Sequence, residues 1–270
     1  MNELFSIDGR VAVITGGTGV LGSCIGQYLA TQGVKVVITG RRHDEGEAIV
    51  KTITEAGGDA MFIKMDVLDK ASVEDGCRRV IERYGKVDAL LNAAGGNQPG
   101  ATIQPDGNIF DIDPEAFSKV IDLNLMGTVI PTQVFLHPMA EAGRGCIINF
   151  SSMSAFRPIT RVAGYGAAKA GISNLTAFLA NEVATKFTPE IRVNAIAPGF
   201  FVTNQNRALL TNPDGSLTAR GEAVIRQTPF KRFGSPEELN GTIHYLMSDA
   251  ASFVTGTVAV VDGGFNVFCM

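Results

Sequence analysis

Tryptophan is absent from the 270 residues, histidine occurs three times and cysteine four times. Cys24, Cys77, Cys146 and Cys269 are scattered, with no C-x-x-C pair and no adjacent histidine. That spacing excludes a zinc site or a disulfide framework, so no metal is expected and the thiols read as buried apolar groups of a reducing compartment. No basic run is present and the net charge is −4, which argues against a nucleic-acid partner. The stretch from Leu123 to Ala140 lacks Asp, Glu, Lys and Arg. It nevertheless holds Asn124, Thr128, Pro131, Thr132, Gln133, His137 and Pro138, so it reads as a buried helix and not a membrane span. Met1 to Phe5 shows no basic segment leading into an apolar run, so no secretory signal is visible and a cytoplasmic location is expected. Charged residues are sparse at 19% against 45% apolar, which excludes disorder.

Glycine, by contrast, is plentiful, with 31 residues. Many of these glycines punctuate an alternation of short apolar runs and helical stretches. Val11–Thr15, Val34–Thr39, Ala60–Met65, Asp88–Asn92, Cys146–Ser151, Ile191–Ile196 and Thr257–Val261 read as strands. Helices are expected over Val20–Gln32, Glu45–Ala56, Ala71–Tyr84, Pro114 to about Ala142, Tyr165–Phe187 and Pro236–Ser248. Charge-free β-rich runs such as Val11–Thr15 suit strands buried on both faces. Strict alternation with right-handed crossovers predicts an α/β fold, a doubly wound parallel sheet of about seven strands, in a single domain spanning 1–270. The longer insertions are Gly95–Asp113 and a segment at about 200–227 that has the length of a helical lid.

Thr15-Gly16-Gly17-Thr18-Gly19-Val20-Leu21-Gly22 follows the first strand and opens the first helix. Gly17, Gly19 and Gly22 make a G-x-G-x-x-G pattern, whose glycines permit a tight turn, the approach of a pyrophosphate and close helix–strand packing. The helix N-terminus then offers free N–H groups to phosphates. Gly16, Thr18, Gly19, Val20, Leu21 and Gly22 are thus candidate dinucleotide contacts. The second strand runs into Gly40-Arg41-Arg42, where an NAD-binding unit usually carries a carboxylate for the ribose. No carboxylate stands there to repel a 2′-phosphate, and Arg41 or Arg42 suits one, so NADP(H) is expected to be preferred over NAD(H). The plain alternative is that both arginines are solvated surface groups.

Tyr165-Gly-Ala-Ala-Lys169 sets a phenol and an ammonium four residues apart, on one helix face. A neighbouring ammonium favours the phenolate and lowers a pKa that is otherwise near 10. Ser152 lies thirteen positions before Tyr165, Asn124 lies in Asp122-Leu-Asn-Leu125, and Asn92-Ala-Ala-Gly95 ends the fourth strand. Together with the glycine loop, these motifs resemble the short-chain dehydrogenase/reductase family over essentially the whole chain. One departure stands out: the short-length branch usually reads Thr-Gly-x-x-x-Gly-x-Gly, and this chain has Val20 and Gly19 where that spacing wants a glycine and a free position.

The resemblance implies a cofactor half at about 1–150 and a catalytic and substrate half at about 151–270. It implies that Tyr165 is the general acid/base and that Lys169 tunes it and holds the nicotinamide ribose. Ser152 would bond the reacting oxygen, and Asn124 would hold a relay water. It further implies that Asp66 and Val67 face the adenine, that Asn92, Ala93 and Gly95 lie beside the cofactor, and that Pro198, Gly199, Val202 and Thr203 meet the nicotinamide. Homotetramers, packed through the two long helices and the last strand, are common in the family.

Around the expected substrate pocket, basic and amide groups recur: Asn97, Arg157, Arg161, Asn204, Gln205, Asn206 and Arg207, with Ser154 close by. Arginine forks suit carboxylates and amides suit polyols, which points to a small polyhydroxy acid as substrate. Each arginine taken singly reads better as a solvent-facing group or a structural ion pair, and Arg161, four residues before Tyr165, is the best exception. The phrases Met153-Ser-Ala-Phe-Arg-Pro-Ile-Thr-Arg161 and Pro198-Gly-Phe-Phe-Val-Thr-Asn-Gln-Asn-Arg207 resemble the D-mannonate oxidoreductases of this family, which implies interconversion of D-fructuronate and D-mannonate. Two alternatives stay open. One is another short-chain reductase, of the gluconate 5-dehydrogenase or acyl-carrier type. The other is a nucleotide-sensing binding protein on the same fold, from which the retained Ser152, Tyr165 and Lys169 argue away.

Overall fold

Strand β1 (Val11–Thr15) has five buried residues in succession, and the four apolar ones divide between two cores. Ala12 and Ile14 join one hydrophobic cluster, while Val11 and Val13 join another on the opposite face, as the two-residue period of a strand requires. The computed structural model describes residues 3–203 and 206–269, so Asn204 and Gln205 lie outside the described residues. Along the chain β1 is followed by α1 (Val20–Thr31), β2 (Lys35–Gly40), α2 (His43–Glu55), β3 (Ala60–Lys64), α3 (Lys70–Tyr84) and β4 (Ala89–Asn92). Then come α4 (Pro114–Ile121), α5 (Gly127–Ala142), β5 (Gly145–Phe150), α6 (Ala163–Lys186) and β6 (Ile191–Pro198). The chain continues through α7 (Arg207–Leu210), α8 (Ala219–Gln227), α9 (Asn240–Met247) and β7 (Val258–Val261).

Among the described residues seven strands form one parallel sheet, in the order β3-β2-β1-β4-β5-β6-β7. Helices α1, α2 and α9 cover one face through Ile25, Leu29, Ile53, Ile243 and Leu246. Helices α3, α5 and α6 cover the other through Val73, Val80, Phe135, Met139 and Val183. This is the expected doubly wound sheet in one Rossmann-like domain. Strand order reverses between β1 and β4, so the loops leaving these strands diverge and open a crevice at their C-terminal ends, the usual ligand position in such sheets.

The long helix expected over 114–142 is broken. A π-helical turn at Asp122–Met126 separates α4 from α5 and widens the helix at Asn124. The expected 236–248 helix likewise begins as a 3₁₀ turn at Pro236–Leu239, held by a capping box between Ser235 and Glu238. Only Cys77 and Cys146 are buried; Cys24 is half-buried and Cys269 is exposed, so the expectation of uniformly buried thiols is corrected. Among the described residues no helix is long and apolar enough to cross a membrane.

Candidate active site

At the end of β1 the chain turns through Gly16, which has φ 62°. A Cβ there would lie 2.7 Å from the Ala94 Cα and 2.9 Å from the Ala93 carbonyl, so this floor between β1 and β4 admits only hydrogen. Gly19 is the N-cap of α1 and has no side chain to cap it. The first-turn N–H groups of Val20, Leu21 and Gly22 have no acceptor within the helix and stand at the wall of a cavity of about 640 Å³. An uncapped positive helix end above a glycine floor suits a pyrophosphate. Val20 opens α1 despite the departure from the branch pattern, and Gly22 stays closely packed, a Cβ there coming within 2.8 Å of the Gly16 carbonyl.

Beyond the phosphate end, the cavity is walled by Gly40, Arg41 and Arg42 from the end of β2 and by Met65, Asp66 and Val67 after β3. Arg42 is engaged: its guanidinium donates to the Thr18 carbonyl at 2.7 Å and pairs with Glu45 at 3.3 Å. The Asp66 carboxylate accepts from the Leu68 N–H at 3.0 Å, and its own N–H donates to the Ser72 hydroxyl at 3.1 Å. Both hold the turn after β3 against the cavity.

At the opposite end stand Tyr165 and Lys169, one turn apart on α6. Lys169 is buried, donates to the Phe150 carbonyl at 2.8 Å, and places Nζ 5.3 Å from the centre of the Tyr165 ring. Burial pushes its ammonium down from the ordinary 10.5 to about 7. The Tyr165 phenol is not lowered as expected from its neighbouring ammonium: burial raises it above its ordinary value, and a hydrogen bond with the Ser152 side chain draws it partly back. The Tyr165 ring packs on Ala101, Ala116 and Val120, so the insertion after β4 braces it. Asn124 ties this insertion to the helix. Its amide donates to the Gly96 carbonyl at 2.7 Å and to the Val120 carbonyl at 2.8 Å, while its Oδ1 accepts from the Gly96 N–H at 3.2 Å. A Cβ on Gly95 would come within 2.6 Å of Asn124 Oδ1 and 3.3 Å of Lys169 Nζ, which explains the glycine. The arrangement is a half-buried phenol beside a buried ammonium, with a hydroxyl partner, at one end of a groove whose other end suits phosphate.

A family model described as enoyl-(acyl carrier protein) reductase matches residues 19–266. The uncharacterized oxidoreductase UxuB of Bacillus subtilis (strain 168) is 45% identical over 272 residues, covering 97% of each chain. The chain belongs to the short-chain dehydrogenase/reductase family. Among solved structures, one from Haemophilus influenza, provisionally named a D-mannonate oxidoreductase and holding NAD, is similar with a TM-score of 0.90 and 37% identity, over 98% of this chain and 97% of that one. A gluconate 5-dehydrogenase of Burkholderia cenocepacia J2315 in complex with NADP and tartrate is similar with a TM-score of 0.86 and 29% identity, over 98% of each. Membership makes this chain a nicotinamide-dependent oxidoreductase, and the groove's residues fit such a dinucleotide from end to end.

The short-chain dehydrogenase/reductase motifs do not all meet in the cavity. Gly16, Thr18, Gly19, Val20, Leu21, Gly22, Arg41, Arg42, Asp66, Val67, Ala93, Gly95, Tyr165, Lys169, Pro198, Gly199, Thr203 and Asn206 line it. Asn92, Ser152, Arg161 and Val202 do not; the Asn92 amide donates to Thr132 Oγ1 and Asn149 Oδ1, each at 2.9 Å, inside the sheet. Asn124 acts through the Gly96 loop, and its own carbonyl accepts from Thr128 at 2.9 Å. Arg157 stacks on Phe265, 5.0 Å from the ring centre, and donates to its carbonyl at 2.6 Å. Asn97 bonds Thr102 at 2.7 Å within its own loop, and Arg207 is exposed on α7. Asn206 closes the turn before α7, accepting from the Thr203 N–H at 2.7 Å and donating to the Phe201 carbonyl at 2.8 Å. Ser154 is half-buried, and its hydroxyl has no protein partner among the described residues. Sequence reasoning missed Met65, Leu123, Phe150 and Phe201 as cavity walls, since an apolar residue at a strand end carries no signal that separates wall from core.

Proposed function

We propose that this enzyme interconverts a ketose-derived sugar acid and its hydroxy acid, D-fructuronate and D-mannonate, with NADP(H) preferred over NAD(H). The observation that carries the reading is the similarity, over nearly the whole chain, to the Haemophilus structure provisionally named a D-mannonate oxidoreductase. It sits beside a Ser152–Tyr165–Lys169 set at one end of the groove. When bound, the nicotinamide supplies or accepts the hydride. In the reducing direction Tyr165, kept protonated by burial, donates its proton to the carbonyl oxygen, and Ser152 donates a hydrogen bond to the same oxygen. Lys169 in its charged form stabilises the phenolate left behind. In the oxidising direction the phenolate takes the hydroxyl proton. The first-turn amides of α1 would hold the pyrophosphate and Lys169 the nicotinamide ribose. Arg41 stands exposed at the adenosine end beside Gly40, which ends β2 in place of a carboxylate, while Glu45 is held by Arg42.

Steady-state kinetics on a panel of uronates and neutral ketoses, with NADPH and NADH, tests both parts. Turnover of a neutral ketose without turnover of fructuronate would overturn the substrate reading, and a tenfold preference for NADH would overturn the cofactor reading. The same proposal includes a cytoplasmic homotetramer packed through α4 to α6 and β7. Phe178 and Phe187, 59% and 58% exposed at α6 and its end, support that packing, and light scattering reads the mass.

A further inference from the structure

Two guanidinium groups converge at the start of α6, and neither meets a carboxylate among the described residues. Arg161 has φ 78°, a left-handed conformation that glycine would adopt at lower cost. It is locked there from both sides: the Ile103 N–H donates to the Arg161 carbonyl at 3.0 Å, and Arg161 Nε donates to the Ile103 carbonyl at 2.5 Å. Its Nη2 reaches the Gln104 amide oxygen at 3.4 Å. Arg220, carried on α8, crosses to the neighbouring residue, with Nη1 3.3 Å from Thr160 Oγ1 and Nη2 3.3 Å from the Thr160 carbonyl. All these partners are neutral. Burial, together with the nearby Arg161 charge, holds the Arg220 guanidinium below its ordinary pKa, so the two cations feel one another without an anion between them.

Uncompensated, partly buried like charges are costly to maintain, and a bound anion removes that cost. Neither arginine lines the cofactor cavity itself; Arg161 is held by the insertion that braces the Tyr165 ring. Ala101, which braces the Tyr165 ring, is two residues from Ile103, which locks Arg161. We propose that Arg161 and Arg220 form the carboxylate-binding subsite of the substrate pocket, one fork from the rim of α6 and one from the 206–227 segment. The inference rests on the sugar-acid reading above and deepens it. Arg161 supplies a fixed fork.

The test compares wild type, Arg161→Gln and Arg220→Gln on D-fructuronate and on the neutral D-fructose. Inhibition by tartrate and cofactor affinity by fluorescence titration are measured on the same samples. The expected result is a fall of at least tenfold in the ratio of kcat/KM for the acid over that for the ketose in each variant, carried by KM, and a tartrate inhibition constant at least tenfold higher. Equal losses on both substrates, or an unchanged tartrate constant, would overturn the subsite. A wild type that prefers the neutral ketose defeats the sugar-acid reading alone. The tartrate constants then decide the subsite by the same criterion. If Arg220→Gln does not fold, Arg220→Lys replaces it, since it keeps the charge and loses the fork. At least a threefold fall in the same ratio is then expected, and no fall would overturn the assignment.

Discussion

Replacing Lys169 by methionine should make the apoprotein more stable at neutral pH while removing its activity. Burial lowers this ammonium from 10.5 to about 7. The unfolded chain therefore holds a proton between those values that the native state releases, and stability rises with pH across that window. Each tenfold change in proton affinity is worth about 1.4 kcal/mol, and the native group is half-charged at pH 7, so the penalty there is on the order of 4 kcal/mol. By pH 10 it falls below about 1 kcal/mol. Methionine fills a similar volume without the charge, but forfeits the bond to the Phe150 carbonyl, which returns about 1–2 kcal/mol to the wild type. The net expectation is a variant more stable by about 2–3 kcal/mol at pH 7 and slightly less stable at pH 10. Urea unfolding at 25 °C at a series of pH values between these two reads the difference directly, and other titrating groups cancel between the two proteins. A variant less stable than wild type at pH 7, or a difference that does not change with pH, would refute the reasoning. The energetic logic is that of a functional group held at a thermodynamic cost: a charge that serves the reaction is buried where the free protein would be better without it.

Tyr165→Phe should lower kcat by about 10²–10⁴ with cofactor affinity changed less than threefold, since the phenol's proton transfer is lost and the ring's packing is kept; turnover within a factor of a few of wild type would remove Tyr165 as the acid/base. In the oxidising direction, wild-type kcat/KM should climb between pH 7 and pH 10, because burial raises the phenol and the phenolate is the reactive form; a flat profile would exclude that proton transfer. Gly16→Ala forces a Cβ to 2.7 Å from the Ala94 backbone at φ 62°, and should cost about 2–4 kcal/mol of stability and weaken dinucleotide binding in calorimetry; wild-type values for both would show that the β1–β4 floor can open without penalty.

The sheet was legible because burial on both faces leaves an unmistakable mark. Val11–Thr15 has no polar position facing solvent, and the same holds for β4 and most of β6. The phosphate loop and the Tyr165–Lys169 pair were legible because each is local: a turn and a four-residue spacing fix the geometry without help from elsewhere. What escaped the sequence has the opposite character. The break at Asp122–Met126 changes neither the apolar content nor the charge of the 114–142 stretch, so a helical period read across it shows one helix; only the need to aim Asn124 at the Gly96 backbone reveals the turn. Arg157 and Arg161 look alike in sequence, both beside the same loop, yet one stacks on Phe265 and the other is locked to Ile103.

Arg220 shows the limit most clearly. Nothing in Thr218-Ala-Arg-Gly-Glu222 distinguishes it from a solvated helix arginine, and its partner Thr160 lies 60 residues earlier. A cation acquires meaning from what the fold sets opposite it. Here the fold sets another cation opposite and no carboxylate among the described residues. The cofactor groove, common to many substrates, is encoded in contiguous motifs, whereas the contacts proposed to select among those substrates are assembled from segments far apart in the chain. A family's chemistry can therefore be read from a single sequence at a point where its substrate cannot, and the substrate question becomes one of which charges the folded pocket leaves unanswered.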